Sequence, residues 1–226
     1  MYPIVEKLKG GLIVSCQAHD GEPLHGPVLM AAMAYSAELG GASGIRANGV
    51  DDIALIRRTV RLPIIGILKE RDQLGRVWIT PTVDAAEAIV AAGSNIVATH
   101  ATREKPFGDR VEEIIDACHN RLNVPVMADC ATLSDAIAAA EAGADIVATT
   151  LSDSKNGPDF GLLERIVQSV TCPVIAEGGY WYPEQVVKAL DCGAYAVVVG
   201  TAITRPREIT RRYVEFIQRR QCKGLK

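Results

Sequence analysis

The sequence predicts an α/β fold of one kind, a closed, parallel eight-stranded (β/α)8 barrel of the TIM type, built as a single domain over residues 1–226. Three observations carry that prediction. Short apolar runs recur eight times, and each is followed by a segment with helical periodicity. Their starts fall roughly every 20–30 residues, the repeat length of a βα unit. The chain has 226 residues, close to the size of about 250 that one such barrel needs. An open doubly wound sheet fits less well, because eight evenly spaced strands are unusual there and no G-x-G-x-x-G follows the first run.

Taken in order, the strand candidates are "LIVSCQ" (12–17), "ASGIRA" (42–47), "PIIGIL" (63–68) and "NIVATH" (95–100). The second half supplies "VPVMAD" (124–129), "DIVATT" (145–150), "PVIAEG" (173–178) and "YAVVVG" (195–200). Near-continuous apolar runs of this length suit strands buried on both faces. The intervening segments, such as "TVDAAEAIVAAG" and "TLSDAIAAAEAG", open at a threonine, carry an acid in the first turn and stop at Gly93 or Gly143. Those are helix start and stop signals. No linker or low-complexity stretch marks off a second domain.

Composition narrows the function classes. Hydrophobic content of 48% supports a sizeable core, and 5% aromatics means that aliphatic side chains fill it. A net charge of −3 gives no reason to expect nucleic acid or an anionic membrane as partner. The C-terminal stretch "TRPREITRRYVEFIQRRQCKGLK" is locally basic, but Ile209, Tyr213, Phe216 and Ile217 recur at helical spacing, so it reads as an amphipathic helix with a solvated face. Six cysteines stand without any C-x-x-C pair, which offers neither a zinc knuckle nor a redox motif. With no signal-peptide pattern and no apolar run near 18 residues, a cytoplasmic protein with reduced thiols is expected.

Chemistry in such barrels sits at the C-terminal ends of the strands. Here those ends carry Gln17, Arg46, Lys69, His100, Asp129, Thr149 with Thr150, Glu177, and Gly200 with Thr201. One polar residue after a buried run means only that the strand has surfaced. Several converging on one rim read as an active site. The seventh strand ends "AEGGY" and the eighth "VVGTAITRP". Gly178, Gly179 and Gly200 allow close approach of backbone N–H groups, and Thr201 and Arg205 add donors, which suits a bound phosphate better than plain tight turns. Lys69 and Glu177 belong to the third and seventh strands, opposite each other in a ring of eight. Such a pair can address both faces of one carbon, taking a proton on one side and returning one on the other. Burial and the nearby Arg46 would favour a neutral, basic lysine, and a shielded carboxyl could serve as the acid. An ion pair closing the barrel top is the non-catalytic alternative.

At these residues the chain resembles the N-acetylmannosamine-6-phosphate 2-epimerase family, through "VSCQA", "GIRANG", "PIIGILK", "ITPT", "TTLS", "IAEGG" and "GTAITRP". The resemblance implies interconversion of N-acetylmannosamine 6-phosphate and N-acetylglucosamine 6-phosphate in amino-sugar and sialic acid breakdown, with no metal and no nicotinamide cofactor. It also implies Lys69 as proton-abstracting base, Glu177 as proton donor, Arg46 and Asp129 as substrate-positioning groups, Gln17 as a sugar contact and Arg205 as the cation near the phosphate. The implied partner is a small phosphosugar, and a homodimer is implied together with the apolar residues of the C-terminal helix. Two motifs depart from the family pattern: "TTLSDSKNGPDFG" stands where the family tends to read "TTLSGY" with a longer loop, and His100, Ala101, Thr102 stand where it commonly has an aspartate, alanine and threonine.

Two other functions fit the same scaffold. A metal-dependent phosphosugar 3-epimerase would need histidines and aspartates at several strand ends, and of the four histidines only His100 stands at one. A non-catalytic phosphosugar sensor would keep the glycine loops but have no use for the Lys69–Glu177 pair.

Overall fold

A computed structural model describes residues 1–103, 107–153 and 155–223. The loop position Ser154 and the thiol of Cys222 lie outside the described residues. Eight parallel strands close into a barrel: β1 (Leu12–Cys16), β2 (Gly44–Asn48), β3 (Ile64–Ile67), β6 (Ile96–His100), β7 (Val126–Asp129), β8 (Ile146–Ala148), β9 (Val174–Glu177) and β10 (Ala196–Val199). The order around the ring is β1-β10-β9-β8-β7-β6-β3-β2, so each strand lies beside its predecessor and β1 closes on β10. The strands are one to three residues shorter than the apolar runs, because residues at the ends of the runs join the flanking turns; β2 alone extends past its run, to Asn48.

The two remaining strands, β4 (Lys69–Arg71) and β5 (Val77–Ile79), form an antiparallel hairpin just after β3, with Lys69 paired to Ile79. The sequence pattern ends the third strand at Leu68 and predicts no hairpin there. Its polar stretch between Glu70 and Arg76 resembles a loop, yet Trp78 and Ile79 are buried and hold the hairpin down.

Helices α2 (Pro27–Leu39), α3 (Val50–Thr59), α4 (Val83–Ala91), α5 (Val111–Ala117), α6 (Leu133–Glu141), α7 (Phe160–Ser169) and α8 (Pro183–Asp191) surround the sheet, while α1 (Pro3–Glu6) lies at the N-terminus. The start signals act as expected where the side chain can reach. Thr82 accepts a hydrogen bond from Ala85 N–H, and Thr132 from Asp135 N–H. Gly93 and Gly143 follow α4 and α6 with φ of 108° and 100°, beyond what most L residues adopt.

Side chains alternate between two cores, as a period-2 strand requires. One core lies between sheet and helices. The other fills the barrel and includes Ile13, Ile65, Ile67, Met127, Ile175 and Val198, with Val5 and Leu8 from the N-terminal segment. This inner series places the site. Lys69 follows Ile67 by two residues, Asp129 follows Met127 by two, and Glu177 follows Ile175 by two. Arg46, two beyond Gly44 and paired in register with Ile65, is on the same inward phase. The charged residues are therefore the next layer above an aliphatic plug.

After β10 come a four-residue helix, α9 (Thr201–Thr204), and the long α10 (Pro206–Lys223). The amphipathic C-terminal helix is present, but Tyr213, Phe216 and Ile217 remain exposed on it, and among the described residues only Ile209 of that apolar set is partly covered.

Candidate active site

β3 and β9 stand four steps apart in the eight-strand ring, so Lys69 and Glu177 approach from opposite walls. Both line one cavity of about 270 Å³ at the C-terminal mouth, together with Gln17, Gly178, Gly179, Gly200, Thr201 and Arg205. Eight of the ten predicted site residues thus share a single space. The other two, Arg46 and Asp129, lie under it. Arg46 is 1% exposed and Asp129 fully buried, and their guanidinium and carboxylate meet edge to edge at 2.5 and 3.1 Å. Arg46 Nη1 also donates to Glu177 Oε2 at 2.5 Å. Thr150 Oγ1 lies 2.5 Å from Asp129 Oδ1 and 3.1 Å from Glu177 Oε2, and its one proton can serve either carboxylate. The family resemblance implies a substrate-positioning role for Arg46 and Asp129. They lie beneath the cavity as a buried pair, and Arg46 bonds both Asp129 and Glu177.

Lys69 is fixed through its backbone and its amine. Its N–H donates to Asn48 Oδ1 at 3.0 Å, and the preceding Leu68 exchanges hydrogen bonds with Thr80 on both N–H and carbonyl. Thr80 is fully buried at φ 41°, a left-handed conformation that a β-branched residue rarely adopts, and it persists because Leu68 and Thr99 both bond to it. Lys69 Nζ donates to Gln17 Oε1 at 2.7 Å, and Gln17 Nε2 donates to Ser15 Oγ at 2.8 Å. An amide oxygen accepts from an amine in either protonation state, so this contact leaves the lysine free to give up its proton.

The electrostatics agree with that arrangement. Burial lowers the Lys69 pKa from its usual 10.5, and the Arg46 charge lowers it further. Burial raises the Glu177 carboxyl above its usual 4.5; Asp129 adds to the rise, while Arg46 opposes it. The two groups are drawn toward each other on the pH scale.

The far wall is built from the glycine loops. Gly178 and Gly179 have φ of 110° and 77°. A Cβ on Gly179 would meet the Gly157 backbone carbon at 2.6 Å, so that position must be glycine for the loop after β8 to pack against it. Gly200 precedes α9, and its carbonyl accepts from Ile203 and Thr204, while Arg205 follows the helix; Gly200, Thr201 and Arg205 all line the cavity.

His100 lies elsewhere. Its ring packs against Trp78 at 4.7 Å between centroids and its Nε2 lies 2.9 Å from Thr102 Oγ1, beneath the hairpin and away from the residues that line the cavity. Sequence reasoning missed Ser15, His19, Tyr180, Trp181 and Thr204, which complete the lining. The inward period of β1 could have found Ser15, two residues after Ile13. Among the described residues no group of three or more His, Cys, Asp or Glu side chains is arranged to hold a metal ion, and no helix is long and apolar enough to cross a membrane.

Residues 30–219 match the family model described as "Putative N-acetylmannosamine-6-phosphate epimerase". The chain belongs to this family. A relative from Caldanaerobacter subterraneus subsp. tengcongensis, named "Putative N-acetylmannosamine-6-phosphate 2-epimerase", is 48% identical over 231 residues, covering 99% of this chain and 98% of its own. Among solved structures, the N-acetylmannosamine-6-phosphate 2-epimerase from Clostridium perfringens superposes with a TM-score of 0.90 at 42% identity, covering 95% of this chain and 96% of that one. A thiamine phosphate pyrophosphorylase from Pyrococcus furiosus, at 19% identity and a TM-score of 0.64, shares the fold alone. Membership of the epimerase family gives the cavity its chemical context: the opposed lysine and carboxylate face a space that also carries the glycine loops and an arginine.

Proposed function

We propose that this protein inverts C2 of N-acetylmannosamine 6-phosphate to give N-acetylglucosamine 6-phosphate, by proton abstraction and return on opposite faces of that carbon. The observation that carries the proposal is the placement of Lys69, just beyond the end of β3, and Glu177, at the end of the diametrically opposed β9, in one cavity. The family relationship and the resemblance of the strand-end motifs identify the substrate.

The C2 hydrogen is acidic only when C1 is an aldehyde, so the pyranose opens first. A neutral Lys69 then removes the C2 proton, and the electron pair moves into a C1–C2 enolate with its charge on O1. Glu177, protonated, delivers a proton to the other face of C2, and the electron pair returns to reform the aldehyde. Lys69 is left as ammonium and Glu177 as carboxylate, which is the arrangement needed to run the reaction backwards. The pair carries one proton in both arrangements of the free site, and its net charge is unchanged. Arg46 and Asp129 therefore neutralise each other throughout, and Arg46 serves by aiming Glu177 rather than by lining the cavity. Ammonium formation at Lys69, next to the developing oxyanion, stabilises the enolate.

Gly178, Gly179, Gly200 and Thr201 supply backbone donors for the phosphate, and Arg205 a cation, at the β9 and β10 side of the mouth. The chemistry needs neither metal nor nicotinamide. The protein acts in the cytoplasm, consistent with the five free cysteine side chains among the described residues, and as a homodimer that covers the exposed Tyr213, Phe216 and Ile217.

The test is turnover by the chelator-treated protein, followed by proton NMR of the two anomeric signal sets. Conversion of either phosphosugar to the other at undiminished rate is expected. Binding without conversion would leave a sensor, and activity restored only by added zinc or manganese would leave the metal-dependent rival.

A further inference from the structure

Behind the cavity wall, Glu22, in the loop between β1 and α2, bonds two residues that line the cavity, His19 and Arg205. Its carboxylate is 11% exposed. Oε1 accepts from Arg205 Nη2 and, at 2.8 Å, from Arg207 Nη2, while Oε2 accepts the His19 N–H at 3.2 Å. Burial alone would raise the Glu22 carboxyl, but the Arg205 and His19 hydrogen bonds and both arginine charges hold it below its usual range. The three contacts tie together segments that are far apart in sequence: the β1 loop, the end of α9 and the first turn of α10.

Of the residues in this cluster, Arg205 and His19 line the cavity, and Arg207 is 57% exposed and further anchored through Nε to Glu208 at 2.9 Å. An unanchored arginine has many rotamers, and a phosphate that captures it must fix them all. A guanidinium with one edge already held by a carboxylate presents the rest of its planar fork in one orientation. Arg205, Arg207 and Arg211 share the two carboxylates of Glu22 and Glu208, which leaves a positive charge in excess, so the anchoring does not cancel the attraction for a dianion.

We infer that Glu22 is a positioning residue for the phosphate subsite, holding the Arg205 guanidinium at the cavity wall and the β1 loop against it. The inference rests on the phosphate reading given above and adds a residue and a role to it. It also excludes the opposite role, in which Glu22 is a competing anion that phosphate must displace.

The experiment is a double-mutant cycle over Glu22→Gln and Arg205→Ala, read by inorganic phosphate binding in calorimetry and by KM and kcat for the phosphosugar. Glu22→Gln keeps the size of the side chain and removes its charge. We expect it to weaken phosphate binding and raise KM by on the order of tenfold, the scale of a misplaced binding group, with kcat within about threefold of wild type. In the Arg205→Ala background the same change should do nothing further, since its target is gone. A role in folding alone would lower kcat and the melting temperature together and leave inorganic phosphate binding per folded molecule unchanged, which would overturn the inference. So would tighter phosphate binding in Glu22→Gln, which marks a competitor, or losses that multiply in the double variant. If Arg205→Ala alone leaves phosphate binding intact, the phosphate reading itself fails; if Arg205→Ala weakens binding and Glu22→Gln does not, only the role of Glu22 fails.

Discussion

Replacing Arg46 by Met tests the floor of the site. Methionine approximates the aliphatic stem, so the change removes mainly the guanidinium, whose two ends hold Asp129 at 2.5 and 3.1 Å and Glu177 at 2.5 Å. Arg46 and Asp129 are 1% and 0% exposed, so water cannot replace the lost partner at Asp129. Breaking a buried pair by removing one member typically destabilises by about 3–5 kcal/mol. In a chain of this size each kcal/mol moves the melting temperature by roughly 2–4 °C, so a fall of about 6–20 °C is expected. Adding Asp129→Leu should recover most of that loss, because an apolar replacement of a buried ion pair is often neutral or better. Activity should stay lost in both variants, since Glu177 is no longer aimed. Differential scanning calorimetry with parallel turnover assays makes the measurement. A single variant melting within about 2 °C of wild type, or a double variant less stable than the single one, would refute the reasoning.

Two further predictions concern protons. The reactive pair must hold one proton in total, so kcat should be bell-shaped in pH, rising as the second proton leaves Lys69 and Glu177 and falling as the last one does. Glu177→Gln, followed by exchange of the C2 hydrogen, should keep only the rise, set by the lowered Lys69 pKa; a surviving alkaline limb would assign that limb to another group. Lys69→Met should stabilise the fold at pH 7 by about 1 kcal/mol, a rise in melting temperature of ~2–4 °C, as removal of a buried functional charge commonly does. The folded lysine has a pKa below the unfolded 10.5, so its destabilising effect is full below the folded value and gone above 10.5. The gain should therefore shrink as pH rises toward 10.5, and an unchanged melting curve at pH 7 would show that the lysine is well solvated.

Most of the barrel was legible because each βα unit repeats a local signal. Thr82 and Thr132 begin their helices, and Gly93 and Gly143 end them, within a few residues of the segments they control. The site was legible where strand parity and ring position suffice: Lys69 and Glu177 needed only the strand count to be placed face to face. What the sequence does not show depends on partners distant along the chain. Arg46 meets Asp129 and Glu177 across separations of 83 and 131 residues, and no local pattern announces that network. The β4–β5 hairpin was hidden because its turn is polar while its anchors, Trp78 and Ile79, are buried against the barrel mouth. Glu22 carries no local signal for the same reason, since Arg205 lies 183 residues away.

The central claim is that Lys69 and Glu177 serve opposite faces of C2, and isotope exchange in heavy water tests it most directly. Wild-type protein incubated with N-acetylmannosamine 6-phosphate in heavy water should place deuterium at C2 of the N-acetylglucosamine 6-phosphate that it forms. Glu177→Gln should exchange the C2 hydrogen of one epimer while making almost none of the other, because Lys69 still abstracts and returns from its own side. Lys69→Ala should abolish exchange from that same epimer. Epimerisation at near wild-type rate in Lys69→Ala, or product formed without deuterium at C2 in wild type, would contradict the two-face mechanism.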